Sequence, residues 1–121
     1  MSRRILVVDD HADNRRILRD LLQSAGFEIL EATTGEEAVT RAEATVPDLI
    51  LMDIQLPGID GYEATRRIKA DPALRRIPLI VVTSYALSGD DAKALAAGAD
   101  AYVAKPFSPR VMLAKVREYL S

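Results

Sequence analysis

Five short runs rich in Val, Ile and Leu punctuate the chain, at Ile5–Val8, Ile29–Ala32, Leu49–Met52, Leu79–Val82 and Ala101–Val103. Their length and aliphatic content read as strands. Between them lie stretches of helical periodicity at Asn14–Ala25, Thr34–Ala44, Tyr62–Ala70, Asp90–Ala97 and Pro109–Leu120. In the first of these, Ile17, Leu18, Leu21 and Leu22 recur at helical spacing and Gly26 follows as a stop. Asp60 before Gly61 has the chemistry of an N-cap, and Pro109 suits a first helical turn. Strands that alternate with helices need right-handed crossovers, hence a parallel sheet covered on both faces. The first, third and fourth runs are apolar at successive positions, as strands buried on both sides must be. The alternation therefore specifies an α/β fold, a (βα)5 unit with a doubly wound five-stranded parallel sheet. No linker, repeat or low-complexity tract interrupts it, and the last helix reaches Leu120. Residues 1–121 are expected to form one domain, with no output domain after it.

Composition narrows the chemistry. A chain of 121 residues can hold a core without covalent staples. Having no Cys, it lacks a disulfide scaffold, a thiolate zinc site and a cysteine nucleophile. One His removes most histidine-based metal sites and leaves carboxylates as the route to a cation. Sixteen basic and eighteen acidic residues give a net charge of −2, which argues against direct contact with nucleic acid. No apolar run approaches the roughly 20 residues of a spanning helix, or serves as a signal-peptide core. A soluble cytoplasmic domain without a membrane partner is the expectation.

In open parallel sheets, sites form at the carboxyl ends of the strands. After the first run come Asp9 and Asp10, after the third Asp53, after the fourth Thr83 and Ser84, after the fifth Lys105; the second ends in Ala32-Thr33-Thr34, with nothing comparable. Three carboxylates meeting at one edge repel, and one would keep its proton unless a cation sat among them. A hard divalent ion such as Mg2+ answers that. Singly, Asp9 or Asp10 would serve as well as a helix cap, but capping does not account for two adjacent acids plus a third at another strand tip. Lys105 reads alone as a solvated rim charge; opposite an acid cluster, its ammonium can hold a phosphoryl oxygen. A cis bond to Pro106 would turn that lysine back over the sheet edge. Thr83 could donate its hydroxyl to the same oxygen, or be an ordinary β-branched strand end. An acidic metal-binding side, a cationic side and a hydroxyl between them suit phosphoryl transfer to a carboxylate.

These residues resemble the receiver domains of bacterial two-component response regulators over the whole chain. The resemblance rests on Val7-Val8-Asp9-Asp10, on Leu51-Met52-Asp53-Ile54-Gln55-Leu56-Pro57-Gly58-Ile59-Asp60-Gly61, on Val82-Thr83-Ser84, and on Ala101-Tyr102-Val103-Ala104-Lys105-Pro106-Phe107. It implies a flavodoxin-like fold with strand order 2-1-3-4-5. It also implies that Asp53 accepts a phosphoryl group from a histidine kinase or histidine phosphotransfer protein. Mg2+ would be held by Asp9, Asp10, Asp53 and the main-chain carbonyl of Gln55. Lys105, Thr83 and Ser84 would receive the phosphate, with Thr83 moving to bond it and Tyr102 swinging inward as it does. Pro57, Gly61 and Pro106 would shape the loops, and Gln55 and Tyr85 would tune dephosphorylation. The stretch Val82–Phe107 also resembles DivK-like single-domain cell-division regulators and some receivers of hybrid kinases, so a stand-alone regulator and a piece of a larger protein both stay open.

Through the resemblance, a downstream protein would read the face of the fourth helix, fifth strand and fifth helix. That face includes Lys93, Tyr102, Arg110, Lys115 and Tyr119, and the alanine-rich fourth helix leaves a homodimer open. A kinase would dock on the first helix, whose outer positions Arg15, Arg16 and Arg19 are basic; a solvated face with local pairing is the alternative. His11 follows a strand rather than lying on an exposed bundle helix, so it reads as a loop residue and not a phosphodonor. A haloacid-dehalogenase-type phosphatase would need an acid two residues past Asp53, where Gln55 stands. A nucleotide or flavin binder would need a Ser/Thr/Gly-rich loop after the first strand, where Asp9-Asp10-His11 would repel the phosphate.

Overall fold

Each apolar run pairs as a strand and each periodic stretch winds as a helix. Their order is β1 (Arg4–Val8), α1 (Ala12–Ser24), β2 (Glu28–Ala32), α2 (Gly35–Thr45), β3 (Leu49–Asp53), α3 (Gly61–Ala70), β4 (Leu79–Thr83), α4 (Asp90–Ala96), β5 (Ala101–Ala104) and α5 (Pro109–Tyr119). This is a computed structural model, and it describes residues 2–83 and 90–120. The expected Ser84 and Tyr85 lie outside the described residues.

All strand pairs are parallel, in the order β2-β1-β3-β4-β5. This is the flavodoxin-like arrangement, with β1, β3 and β4 in the middle. Side chains alternate across each strand, so the core divides into two layers. Leu6, Val8, Ile50, Met52, Leu79 and Val81 pack with Ala38, Ala42, Ala64, Ile68 and Ala94 from α2, α3 and α4. On the other face, Ile5, Val7, Leu49, Leu51, Ile80 and Val82 pack with Leu18, Leu22, Met112 and Val116 from α1 and α5.

Helix starts follow side-chain chemistry. Thr34 accepts the Glu37 N–H at 3.0 Å, Asp60 that of Glu63 at 2.9 Å, and Ser108 that of Val111 at 3.1 Å. Asp60 thus caps α3 as its sequence position suggests, and Pro109 lies in the first turn of α5. α1 begins at Ala12, before the apolar periodicity starts at Ile17, because Asp13 is favourable in a first turn and needs no core contact. β3 and β4 each run one residue further than their apolar runs. The ladder therefore includes Asp53 and Thr83, which lie on regular backbone and not in loops.

Two local features hold this frame. The Lys69 ammonium donates to the carbonyls of Ile77 at 2.7 Å and Arg75 at 3.2 Å and pairs with Asp100 at 2.8 Å. The same Asp100 oxygen accepts the Leu79 N–H at 2.8 Å, which ties α3 to the starts of β4 and β5. After β3, the Gly61 N–H donates to the Ile54 carbonyl at 2.9 Å. A Cβ on Gly61 would stand 2.2 Å from the Asp53 carbonyl oxygen, so only glycine admits this approach.

Among the described residues, one opposes its backbone. Val46, the C-cap of α2, sits in the left-handed region at φ 44 and is half exposed. A β-branched side chain is disfavoured there, and exposure returns little in packing. Val46→Asn should raise stability by about 1 kcal/mol, the scale of the left-handed penalty for an L-residue that asparagine tolerates better. Gly61→Ala should lower it by about 1–3 kcal/mol, as overpacking does. Urea unfolding of the two variants beside the parent chain reads both.

Candidate functional site

The carboxyl ends of β1, β3, β4 and β5 meet where the strand order turns back between β1 and β3. Asp9 follows β1 and is 2% exposed; Asp53 ends β3 and is 6% exposed. Lys105 directly follows β5 and is joined to Pro106 by a cis bond, with its Nζ 3.6 Å from Asp9 Oδ2 and 3.5 Å from Asp53 Oδ2. One ammonium thus faces two buried carboxylates. Asp10, next to Asp9 in the chain, is exposed at the rim.

Burial pushes the Asp53 carboxyl above its ordinary value; Lys105 opposes this, Asp9 adds to it, and the N–H groups of Gln55 and Ile54 favour the ionised form. The Gln55 N–H reaches Asp53 Oδ1 at 3.4 Å. A carboxylate this buried, with another beside it and one shared lysine, is short of positive charge.

The donor set fits a divalent cation. Asp9, Asp10, His11 and Asp53 each offer a ligand atom, and these lie within 4.8 Å of one another. Three of the four are carboxylates, the hard ligands that Mg2+ takes. Asp9 and Asp10 do not cap α1: its N-cap is His11, which makes no side-chain cap bond. Asp9 Oδ1 instead accepts the His11 N–H at 2.9 Å, while His11 Nδ1 lies 3.2 Å from that oxygen and 3.0 Å from Asp10 Oδ1.

Four more of the expected residues, Thr83, Tyr102, Gln55 and Pro57, fall among the described ones. Thr83 is 1% exposed at the end of β4, and its carbonyl accepts the Lys105 N–H at 2.7 Å. Tyr102 pairs in register with Val81, and Thr83 with Ala104. Thr83 and Tyr102 therefore project from the same sheet face, two register steps apart, with Tyr102 partly buried against the layer under α2, α3 and α4. Gln55 and Pro57 are exposed on the loop that Gly61 closes.

Arg15, an outer position of α1 by helical spacing, contributes to the site. Its Nη1 donates to the Asp9 carbonyl at 2.8 Å, and its Nε pairs with Glu31 of β2 at 3.2 Å. Arg19 pairs with Glu31 as well, at 3.2 Å, so of the three basic residues on α1, two are engaged by β2 and Arg16 is exposed. These partners lie on another element, which helical i,i+4 spacing does not report. Beside Asp9 and Lys105, a cleft of about 530 Å³ is lined by Asn14, Ile17, Leu18, Pro106 and Phe107.

Comparisons with known proteins agree with this geometry. A family model described as the response regulator receiver domain matches residues 5–117. The polar-differentiation response regulator DivK of Brucella ovis is 39% identical over 120 residues, covering 99% of this chain and 98% of that protein. The receiver domain of sensor histidine kinase PA1611 from Pseudomonas aeruginosa PAO1 was solved with a magnesium ion coordinated in its active-site cleft. It superposes with a TM-score of 0.93 at 38% identity, covering 99% of this chain and 98% of that one. The chemotaxis protein CheY4 of Vibrio cholerae superposes at 0.92 with 26% identity, covering 98% and 99%.

The charge shortage has a direct test. A carboxyl whose folded pKa is raised contributes stability below its unfolded pKa, and that contribution is lost as pH rises through the folded value. Asp53→Asn should therefore melt above the parent chain at neutral pH in chelator. The gap should close as pH falls through the carboxylate range, and Mg2+ should narrow it by stabilising the parent alone. Thermal melts at several pH values, with and without Mg2+, check the sign.

Proposed function

The chain belongs to the family of response regulator receiver domains, and from that premise we propose that it is a signalling switch whose phosphoacceptor is Asp53. The observation that carries this is Asp53 itself: a buried carboxylate at a strand tip, beside a second acid and facing a lysine. An Asp53 oxygen attacks the phosphorus of a phosphohistidine on a kinase or phosphotransfer protein. The P–O bond forms as the P–N bond breaks, and the imidazole leaves with its electron pair and takes up a proton. Asp9, Asp10, Asp53 and the Gln55 carbonyl would hold Mg2+, which would supply positive charge against the phosphoryl oxygens and the accepting carboxylate. Lys105, already 3.5 Å from Asp53, exchanges its ion pair for a phosphoryl oxygen. The hydroxyl of Thr83 donates to another, and Ser84, outside the described residues, is the third group expected at the phosphate.

Thr83 and Tyr102 share a sheet face, which supports coupling the phosphate to the surface of α4, β5 and α5. That surface exposes Leu95 and Val111 together with Lys93 and Arg110, a mixture suited to a downstream protein or a second copy. Gln55 and Tyr85 would set how fast water reaches the aspartyl phosphate. Gln55 stands where a phosphatase of the haloacid-dehalogenase type needs a general acid, so phosphate is held and not turned over on esters. The match over nearly the full length of DivK supports taking residues 1–121 as one receiver domain. No helix among the described residues is long and apolar enough to cross a membrane.

Acetyl phosphate tests the reading without a cognate kinase. Intact mass should rise by one phosphoryl group in Mg2+, and by none in chelator or in Asp53→Asn. A gain that survives in Asp53→Asn would overturn the assignment. Lys105→Met should slow uptake by roughly 100-fold, the scale of losing one preorganised charge donor, as measured by the time course of the same mass gain.

A further inference from the structure

Resting on the reading of this edge as a divalent-cation site, we propose that His11 is a metal ligand, whose imidazole turns the preference of the site toward borderline ions such as Co2+, Ni2+ and Zn2+. The phosphoryl-transfer reading uses oxygen ligands alone and leaves His11 without a role. Yet His11 Nδ1 lies 3.0 Å from Asp10 Oδ1 and 3.2 Å from Asp9 Oδ1, and belongs to the group of ligand atoms within 4.8 Å that includes Asp53. These contacts are at hydrogen-bond and ion-pair distance; adjacent ligands on an octahedral ion with bonds of about 2.1 Å also stand about 3.0 Å apart, so the same separation lets ring nitrogen and carboxylate share one ion.

The backbone makes this spacing reproducible. The His11 N–H is held by Asp9 Oδ1 at 2.9 Å, and the Arg15 N–H donates to the His11 carbonyl at 3.1 Å as α1 begins. The ring itself is 65% exposed, so it can turn onto an ion without disturbing the core. Imidazole adds little for a hard ion and much along the series from Mn2+ to Cu2+ and for Zn2+. Binding such an ion uses the Nδ1 lone pair, and any proton on that nitrogen goes to solvent; nothing is oxidised or reduced.

The test is calorimetric titration of the whole chain, freed of metal, with Mg2+ and separately with Co2+, for the parent, His11→Ala and His11→Gln. The parent should bind Co2+ more tightly than Mg2+. Both variants should lose Co2+ affinity by at least about tenfold, the lower end of what even an outer-shell partner contributes, and far more than they lose for Mg2+. Because His11 is the chain's single histidine, Co2+ should also shift one imidazole set in the proton spectrum of the parent. Parallel changes in the two affinities, an unshifted imidazole, or a glutamine variant that keeps full Co2+ affinity would overturn the role of His11 while leaving Asp53 phosphorylation intact. A parent chain that binds neither ion would overturn the cation site and this inference together.

Discussion

Two buried carboxylates at the edge of one sheet repel each other, and the surrounding structure is arranged around that repulsion. Asp9 and Asp53 are nearly inaccessible to water, so neither can be screened by solvent. The Lys105 ammonium stands about equally far from both, and burial still holds the Asp53 carboxyl above its ordinary range. A site left short of positive charge in this way attracts a cation. Under the proposed function, the oxygens of a phosphoryl group on Asp53 would then take over the lysine.

The frame keeps that arrangement from relaxing. Asp53 lies on the last ladder position of β3, and the loop after it is closed by the Gly61–Ile54 hydrogen bond at a distance where a Cβ would collide with Asp53's own carbonyl. Arg15 holds the Asp9 carbonyl from α1 while Glu31 holds Arg15 from β2. The acids are thus fixed through their main chains, and their side chains can exchange partners without the backbone moving. Fixed donors around a changing charge are what electrostatic catalysis requires.

Much of this was legible beforehand because a parallel sheet converts sequence position into spatial position. A residue just after a buried apolar run must emerge at one edge, so Asp9, Asp53, Thr83 and Lys105 could be collected there from order alone. Asp60 and Pro109 were equally readable, since capping is local chemistry. Less was legible where a contact joins distant elements. Arg15 and Arg19 looked like an open basic face, but Glu31 on the neighbouring strand engages both. Nor does the Asp9-Asp10 pair announce that one member is buried and the other lies at the rim, because that depends on where the strand leaves the sheet.

Alternating strands and helices, the absence of cysteine and the identity of the strand-end residues were determined by the sequence itself, because they follow from periodicity and from side-chain chemistry that acts within a few residues. Only the tertiary structure decided that two acids would share one lysine at about 3.5 Å, that an arginine would turn inward to hold a main-chain carbonyl, and that a histidine would stand against two carboxylates. Those distances arise from elements far apart in the chain and from a strand order that places β1 beside β3. Charge interactions depend on distance and on burial, and both are properties of the packed sheet edge.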